Sequence, residues 1–315
     1  MDYERYLIRK PLYQDLGGIR NRQSPTMTFL SPRQIPEAAY YLELGWIYGI
    51  PEPNPYSEEH IHDYDEIIIH WGSDPAHPQS LGGQIECYIG RQLINFNTTC
   101  GMFIPRGVPH GRFTWKKFSR PHIQMSLKLG RVDHIEGTVP GPDYAIPGAA
   151  ELKNRGSDYE QYVLRSPLRE AGAEFVRGRT APTLTYMSGL QIPGVNCYIE
   201  FGWTFDMPLS RRAGTGMPEM LHTNFDEIVL HIGGDPARPE ELGGEIEFFV
   251  GGQPLLFDTS SALFLPRGLL HGPLSCKKYV KPHIVMAIMA GIGSLKEGWN
   301  ALSNPPPPKA DNGGN

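Results

Sequence analysis

A chain of 315 residues with 40% apolar and 20% charged residues holds enough apolar matter for one large or two medium cores. A formal charge of -5 supplies no polybasic field, so nucleic acid and anionic membrane surfaces are excluded as favoured partners and a small molecule is expected instead. The opening MDYERYLIRKPLYQDL lacks the apolar core of a leader, and no later stretch is apolar enough to span a bilayer, so a cytoplasmic protein is expected.

Taken in chain order, the segments come twice. YLIRKPL at Tyr6 returns as YVLRSPL at Tyr162, and PTMTFLS at Pro25 returns as PTLTYMS at Pro182. YLELGW at Tyr41 matches YIEFGW at Tyr198. DEIIIHWGSDPAHPQSLGGQIE at Asp65 matches DEIVLHIGGDPARPEELGGEIE at Asp226. FIPRGVPHG at Phe103 is echoed by FLPRGLLHG at Phe264, and KKFSRPHI at Lys116 by KKYVKPHI at Lys277. Two units of about 160 residues each therefore fill the chain. They predict one domain over 1–140 and a second over 141–303, joined by the glycine- and proline-bearing stretch Gly137 to Leu152. NPPPPKADNGGN, the tail from residue 304, has a composition that builds no packed element and is expected to be disordered.

Within each unit the apolar runs are short and rich in β-branched and aromatic residues, as in Glu66 to Trp71, Gln84 to Ile89 and His122 to Leu127. With 36 Gly and 30 Pro between them, they predict antiparallel strands and tight turns rather than long helices. In the last of these runs His122, Gln124 and Ser126 share one face, while Ile123, Met125 and Leu127 share the other. The polar face is expected to line a cavity. Cys87, Cys100, Cys197 and Cys276 lie far apart without a CxxC pair and are expected as reduced core thiols.

One cluster carries chemistry. His60 and His62, two residues apart on a strand, point the same way, with Glu66 shortly after. His110 follows Pro105-Arg106-Gly107. Three neutral nitrogens and one carboxylate suit a divalent metal, Mn or Fe first, with Zn, Ni and Co also compatible, and leave coordination positions open for water or substrate. The matching residues of the second unit are Met220, His222, Glu227 and His271, so one imidazole is replaced by a thioether, a poor partner for a hard ion. Tyr48, Tyr64, Gln124 and Ser126 are matched by Phe205, Phe225, Val285 and Ala287, and each change removes a polar group. The first unit is therefore expected to be the working one. His222, Glu227 and His271 are expected either to be vestigial or to hold a second metal. His70 and His231, before the GxDP turns, are expected as satisfied structural histidines, and Arg106 and Arg267 as ion-paired turn residues.

The spacing HxHx3E followed by PRGxxH resembles the two motifs of the cupin superfamily. It departs from them at Asn54, where a Gly is usual, and at Thr114, where an Asn is usual. The resemblance implies an all-β chain of two tandem cupin (double-stranded β-helix, jelly-roll) barrels with few short helices, and, since cupins often pair through strands, a homodimer. It also implies a range of metal-dependent reactions on small oxygenated substrates. With its GSDPxxPxxLGGxIE insert the chain is similar to bicupins of the dihydrophloroglucinol cyclohydrolase type, which implies hydrolytic opening of a cyclic 1,3-diketone in aromatic compound degradation. In that reading Tyr48, Tyr64, His122 or Gln124 orients water or moves the proton, because Glu66 is committed to the metal. An Fe(II) ring-cleaving dioxygenase would use the same ligands, and a small-ligand-binding cupin without chemistry is a third reading.

Overall fold

The computed structural model describes residues 2–14, 18–132, 138–140, 158–169, 176–210 and 219–300. The stretch Gly137 to Leu152 and the tail from residue 304 fall wholly or mainly outside them.

Alternating sequence folds as alternating strands. In the first half a large antiparallel sheet runs in the order Val163–Leu164, Cys100–Ile104, Asp65–Gly72, His122–Leu129, Tyr41–Glu52, Thr26–Leu30 and Leu12–Gln14, with Arg20–Arg22 also on Tyr41–Glu52. A second sheet faces it: Thr138–Pro140, His60–His62, His110–Phe118, Ser80–Ile89 and Gln92–Thr98. The second half repeats this with a seven-stranded sheet centred on Asp226–Gly233, His283–Ala290 and Cys197–Ser210, and a three-stranded sheet of Gln253–Thr259, Glu241–Val250 and His271–Tyr279. The strand that carries the HxH pair in the first barrel shrinks in the second to a single bridge, Met220 to His271. Among the described residues the one α-helix is Leu295–Asn300, and no helix is long and apolar enough to cross a membrane.

Strand parity sets which residues face which layer. On His122–Leu129, Ile123, Met125 and Leu127 point out of the first barrel into an apolar layer shared by both barrels, together with Trp46, Trp71, Phe201, Trp203 and Met286. Trp71 and Phe201 meet across that layer with ring centroids 5.8 Å apart. Gly101 is small for the same reason: a Cβ there would lie 2.4 Å from the backbone oxygen of Tyr186 in the other barrel. The opposite face of His122–Leu129 looks into the first barrel.

The units of sequence are not the units of sheet. Leu7 and Ile8 pair with Leu263 and Ala262 of the second barrel, while Val163 and Leu164 pair with Met102 and Gly101 of the first. Each repeat lends its first short strand to the other's sheet. Tyr6 follows it, packing 6.5 Å from Phe264. A fragment ending at residue 140 would lack the Val163–Leu164 strand and expose Trp46, Trp71 and their neighbours. Expressed alone it should aggregate while the whole chain stays dispersed, and a monodisperse, cooperatively unfolding fragment in size-exclusion and melting experiments would contradict that.

The cysteines are free, three of them buried. Both PRG turns carry the expected ion pair, Arg106 with Asp65 at 3.7 Å and Arg267 with Asp226 at 3.2 Å, and each aspartate also accepts from the arginine's own backbone N–H. The GxDP histidines differ from expectation. His70 and His231 are fully buried, yet neither ring nitrogen of either residue has a hydrogen-bond partner among the described residues. They sit among rings, His70 5.2 Å from Phe96 and His231 5.2 Å from Phe257, and burial lowers both well below the usual histidine range.

Candidate metal centre

The four residues singled out by spacing converge. His60 and His62 come from one strand, His110 pairs with His60 across the sheet, and Glu66 enters from the large sheet opposite. Their donor atoms all lie within 4.8 Å of one another. His62, His110 and Glu66 are buried and His60 is partly exposed.

Local backbone decides which nitrogen of each ring faces inward. Nδ1 of His60 lies 3.0 Å from the Glu58 carbonyl, Nδ1 of His62 2.7 Å from that of Tyr64, and Nδ1 of His110 2.9 Å from that of Val108. A carbonyl oxygen only accepts, so each Nδ1 carries the proton and each Nε2 presents a lone pair. Gly111 makes the first of these contacts possible. Its φ is +134°, and a Cβ on it would sit 2.4 Å from the Glu58 oxygen that holds His60. The ring of Tyr64 stacks on His62 at 4.0 Å and 9°.

Nε2 of His62 and of His110 lie 3.1 and 3.0 Å from the same oxygen of Glu66. A lone pair facing a carboxylate oxygen at that distance is repulsive unless a cation lies between them. Neighbouring ligands of a six-coordinate ion with bonds near 2.1 Å are themselves about 3 Å apart, so the donor set fits a divalent metal. The other Glu66 oxygen accepts from the Ser126 hydroxyl. Burial pushes the Glu66 carboxyl up; without a metal, protons on the His110 and His62 nitrogens that face it would take the cation's place, and their hydrogen bonds and charge outweigh burial and hold the carboxyl well below its usual range. For His60, burial and the neighbouring His110 lower the ring to about 4. Because such outer contacts typically set metal affinity within 10–100-fold, Ser126→Ala is expected to weaken binding by roughly tenfold in a chelator competition, and an unchanged affinity would show that Ser126 does not hold Glu66.

A cavity of about 220 Å³ opens on this cluster. That is room for a small molecule rather than a large cofactor. Tyr64 and Gln124 line it, as do Ser126, Arg22, Glu43, Tyr56 and Lys128. The Tyr56 hydroxyl donates to Gln124 Oε1 at 2.6 Å, and its ring lies under the Arg22 guanidinium at 4.9 Å.

Two residues expected to take part in chemistry are placed elsewhere. Tyr48 shares strand parity with Leu44 and Trp46, points away from the barrel interior and is 39% exposed. His122 does face inward, but it pairs with Gly72, whereas Lys128 of the same strand pairs with Glu66. Six residues at about 3.4 Å each put it some 20 Å along the strand from the metal end. There its Nε2 accepts from Trp115 Nε1 at 3.0 Å, in a closed aromatic pocket. Asn54, the departure from the cupin motif, has a role of its own, clamping the Trp115 backbone with two hydrogen bonds of 2.9 Å.

Tyr56 and Arg22 lie in irregular or short segments that carry no periodic signal, so sequence reasoning missed them. Lys128 was within reach, since the alternation of His122, Gln124 and Ser126 continues to it.

The second barrel keeps His222, Glu227 and His271 together. His222 and His271 approach Glu227 at 3.4 and 3.1 Å. Its supports are thinner. His271 Nδ1 keeps its carbonyl, that of Leu269, at 2.8 Å, but His222 Nδ1 has no partner among the described residues, and Ala287 stands where Ser126 braces Glu66.

Two jelly-roll barrels in tandem, the first with three histidines and a glutamate converging at its mouth, give the chain a bicupin fold. The comparisons with solved structures agree on the fold. AerE from Microcystis aeruginosa superposes with a TM-score of 0.51 at 14% identity, over 91% of this chain and 99% of that one. A point mutant of the oxalate decarboxylase OxdC of Bacillus subtilis gives 0.54 at 11% identity, over 90% and 79%. A further structure of that decarboxylase, from work assigning its Mn(II) centres, gives 0.52 at 11%, over the same shares. No family model and no curated protein matches the sequence.

Proposed function

We propose that the chain is a divalent-metal-dependent enzyme whose working site is the first barrel, and that it opens a small cyclic 1,3-diketone of the dihydrophloroglucinol kind by hydrolysis of a carbon–carbon bond. The observation that carries this reading is the triple orientation of His60, His62 and His110, each with Nδ1 tied to a carbonyl and Nε2 turned toward the other donors. So many aligned supports around one point, at the mouth of a small polar cavity, suit a metal that works on a substrate. Manganese is the first choice, because the structurally similar decarboxylase is described with Mn(II) centres; iron is the second.

A divalent ion in this set supplies a Lewis acid that polarises a carbonyl and acidifies bound water. The chain's own groups do the rest. Glu66 is spent on the metal site and on Ser126, so it is not the base. Gln124, with its oxygen occupied by Tyr56, presents its NH2 to the substrate. Burial raises the Tyr56 hydroxyl, which keeps its proton in place to fix the Gln124 amide. Tyr64 offers a hydroxyl close to His62 for orienting water or returning a proton to the released carbon.

The test is turnover of cyclic diketones and of dihydroxyphenols by Mn-loaded and Fe-loaded protein, with and without air. Diketone opening by the Mn form without oxygen is expected. Conversion of a phenol that needs both iron and oxygen would replace the hydrolytic reading by a ring-cleaving dioxygenase, and tight binding with no conversion would leave a binding protein.

A further inference from the structure

Charge in the first cavity is unequal once a divalent ion is present. The lining carries two cations, Arg22 and Lys128, and two carboxylates, Glu43 and Glu66. Without metal these balance. A divalent ion adds two positive charges to a small, largely buried space, where charge is costly to leave uncompensated.

Lys128 is the unusual member. A lysine is seldom this buried, at 7% exposure. Its ammonium lies over the Tyr41 ring at 4.5 Å and 5.9 Å from that of Tyr64, on the strand position that pairs with Glu66. The fold does not demand it, because Met289 occupies the equivalent place in the second barrel, paired with Glu227 in the same register. Arg22 and Glu43 differ in this respect: both are retained as Arg179 and Glu200, and both glutamates accept from a threonine and a tyrosine hydroxyl, Thr26 and Tyr41 in one barrel, Thr183 and Tyr198 in the other. They belong to the repeated frame. Lys128 belongs to the working barrel alone, as do Gln124, Ser126 and Tyr64.

We infer that the substrate binds in the first barrel as an oxyanion, an enolate or a carboxylate, and that Lys128 is the residue that selects for that charge. Lys128, Arg22 and the Gln124 NH2 give the cavity wall beside the metal ligands three donors of hydrogen bonds, two of them cationic. A neutral ketone would leave the excess positive charge unanswered, whereas a 1,3-diketone ionises to an enolate whose two oxygens can be shared between metal and ammonium. This deepens the hydrolytic reading but rests on it only for the location of the site.

The experiment is calorimetric titration of Mn-loaded protein in mildly alkaline buffer with cyclohexane-1,3-dione, an enolate there, with glutarate, and with the neutral cyclohexanone. At least one anion should bind far more tightly than cyclohexanone, and which one does names enolate or carboxylate. Lys128→Met, the residue of the second barrel, should weaken that anion by roughly thirtyfold or more while leaving cyclohexanone unchanged, and Lys128→Arg should restore most of the loss. Equal affinity for cyclohexanone and the anions in the unmodified protein overturns the inference without reference to any variant, and so does unaltered anion affinity in a folded, metal-replete Lys128→Met protein. Binding that depends on Lys128 without diketone turnover would refute the hydrolysis and spare this inference. Turnover indifferent to Lys128 would do the reverse.

Discussion

Glu66→Gln should leave the barrel folded and reduce turnover by well over a hundredfold. The substitution keeps the shape of the side chain and a group able to accept from Ser126, but deletes the one negative charge among the metal donors. Groups that only orient a ligand cost 10–100-fold when lost, so removing the ligand's charge should exceed that range. The two imidazole nitrogens at 3.0 and 3.1 Å would then face an amide, and no anionic donor would remain in the set to hold a hard cation in place. Glu227→Gln, its counterpart in the second barrel, should change turnover by less than about tenfold, because the second site lacks both the third imidazole and the serine that braces the carboxylate. The paired assay, steady-state rates together with circular dichroism, checks both arms. Equal losses from the two substitutions would mean that both barrels work.

Acid should unfold the metal-free protein steeply between pH 6.5 and 4. His122 and His283, the equivalent pair, are buried in aromatic pockets, and burial, partly offset by the carbonyls of Arg120 and Lys281, lowers each to about 4. For a histidine whose folded value lies below its unfolded value of about 6.5, the unfolded chain takes up the proton first, so stability is full above that pH and drains away as pH falls toward the folded value. Each of the two should cost about 3 kcal/mol over that window. His70 and His231, lying 6.2 and 6.4 Å from them, are lowered in the same direction and steepen the loss. Urea unfolding at several pH values after chelation measures it. In the double variant His122→Gln, His283→Gln the profile should flatten, and an unchanged slope would place the acid lability elsewhere.

The quartet of candidate ligands was legible because its logic is local. Two histidines at strand spacing, a carboxylate on the next strand and an imidazole after a PRG turn are each fixed by a few residues of backbone. The internal repeat did more, since Met220, Phe225, Val285 and Ala287 show which positions the fold tolerates as apolar. Parity would have gone further still. It places Tyr48 outside with Trp46, and carries Lys128 inside with Ser126. The exchange of Leu7–Ile8 and Val163–Leu164 was not legible, because a two-residue strand has no period and its partner is chosen by which barrel's edge lies nearest. Nor were Tyr56 and Arg22, which reach the cavity through chain path rather than pattern. His122 shows the limit of reasoning from a face alone: a strand face runs the whole length of a barrel, and only register tells one end from the other.

The most direct measurement is the metal content of protein purified without oxygen, set beside that of His110→Ala. The intact chain should carry manganese or iron, and the variant, still folded, should lose about one equivalent per chain. A chain that holds no divalent metal, or a His110→Ala protein with its content unchanged, would contradict it.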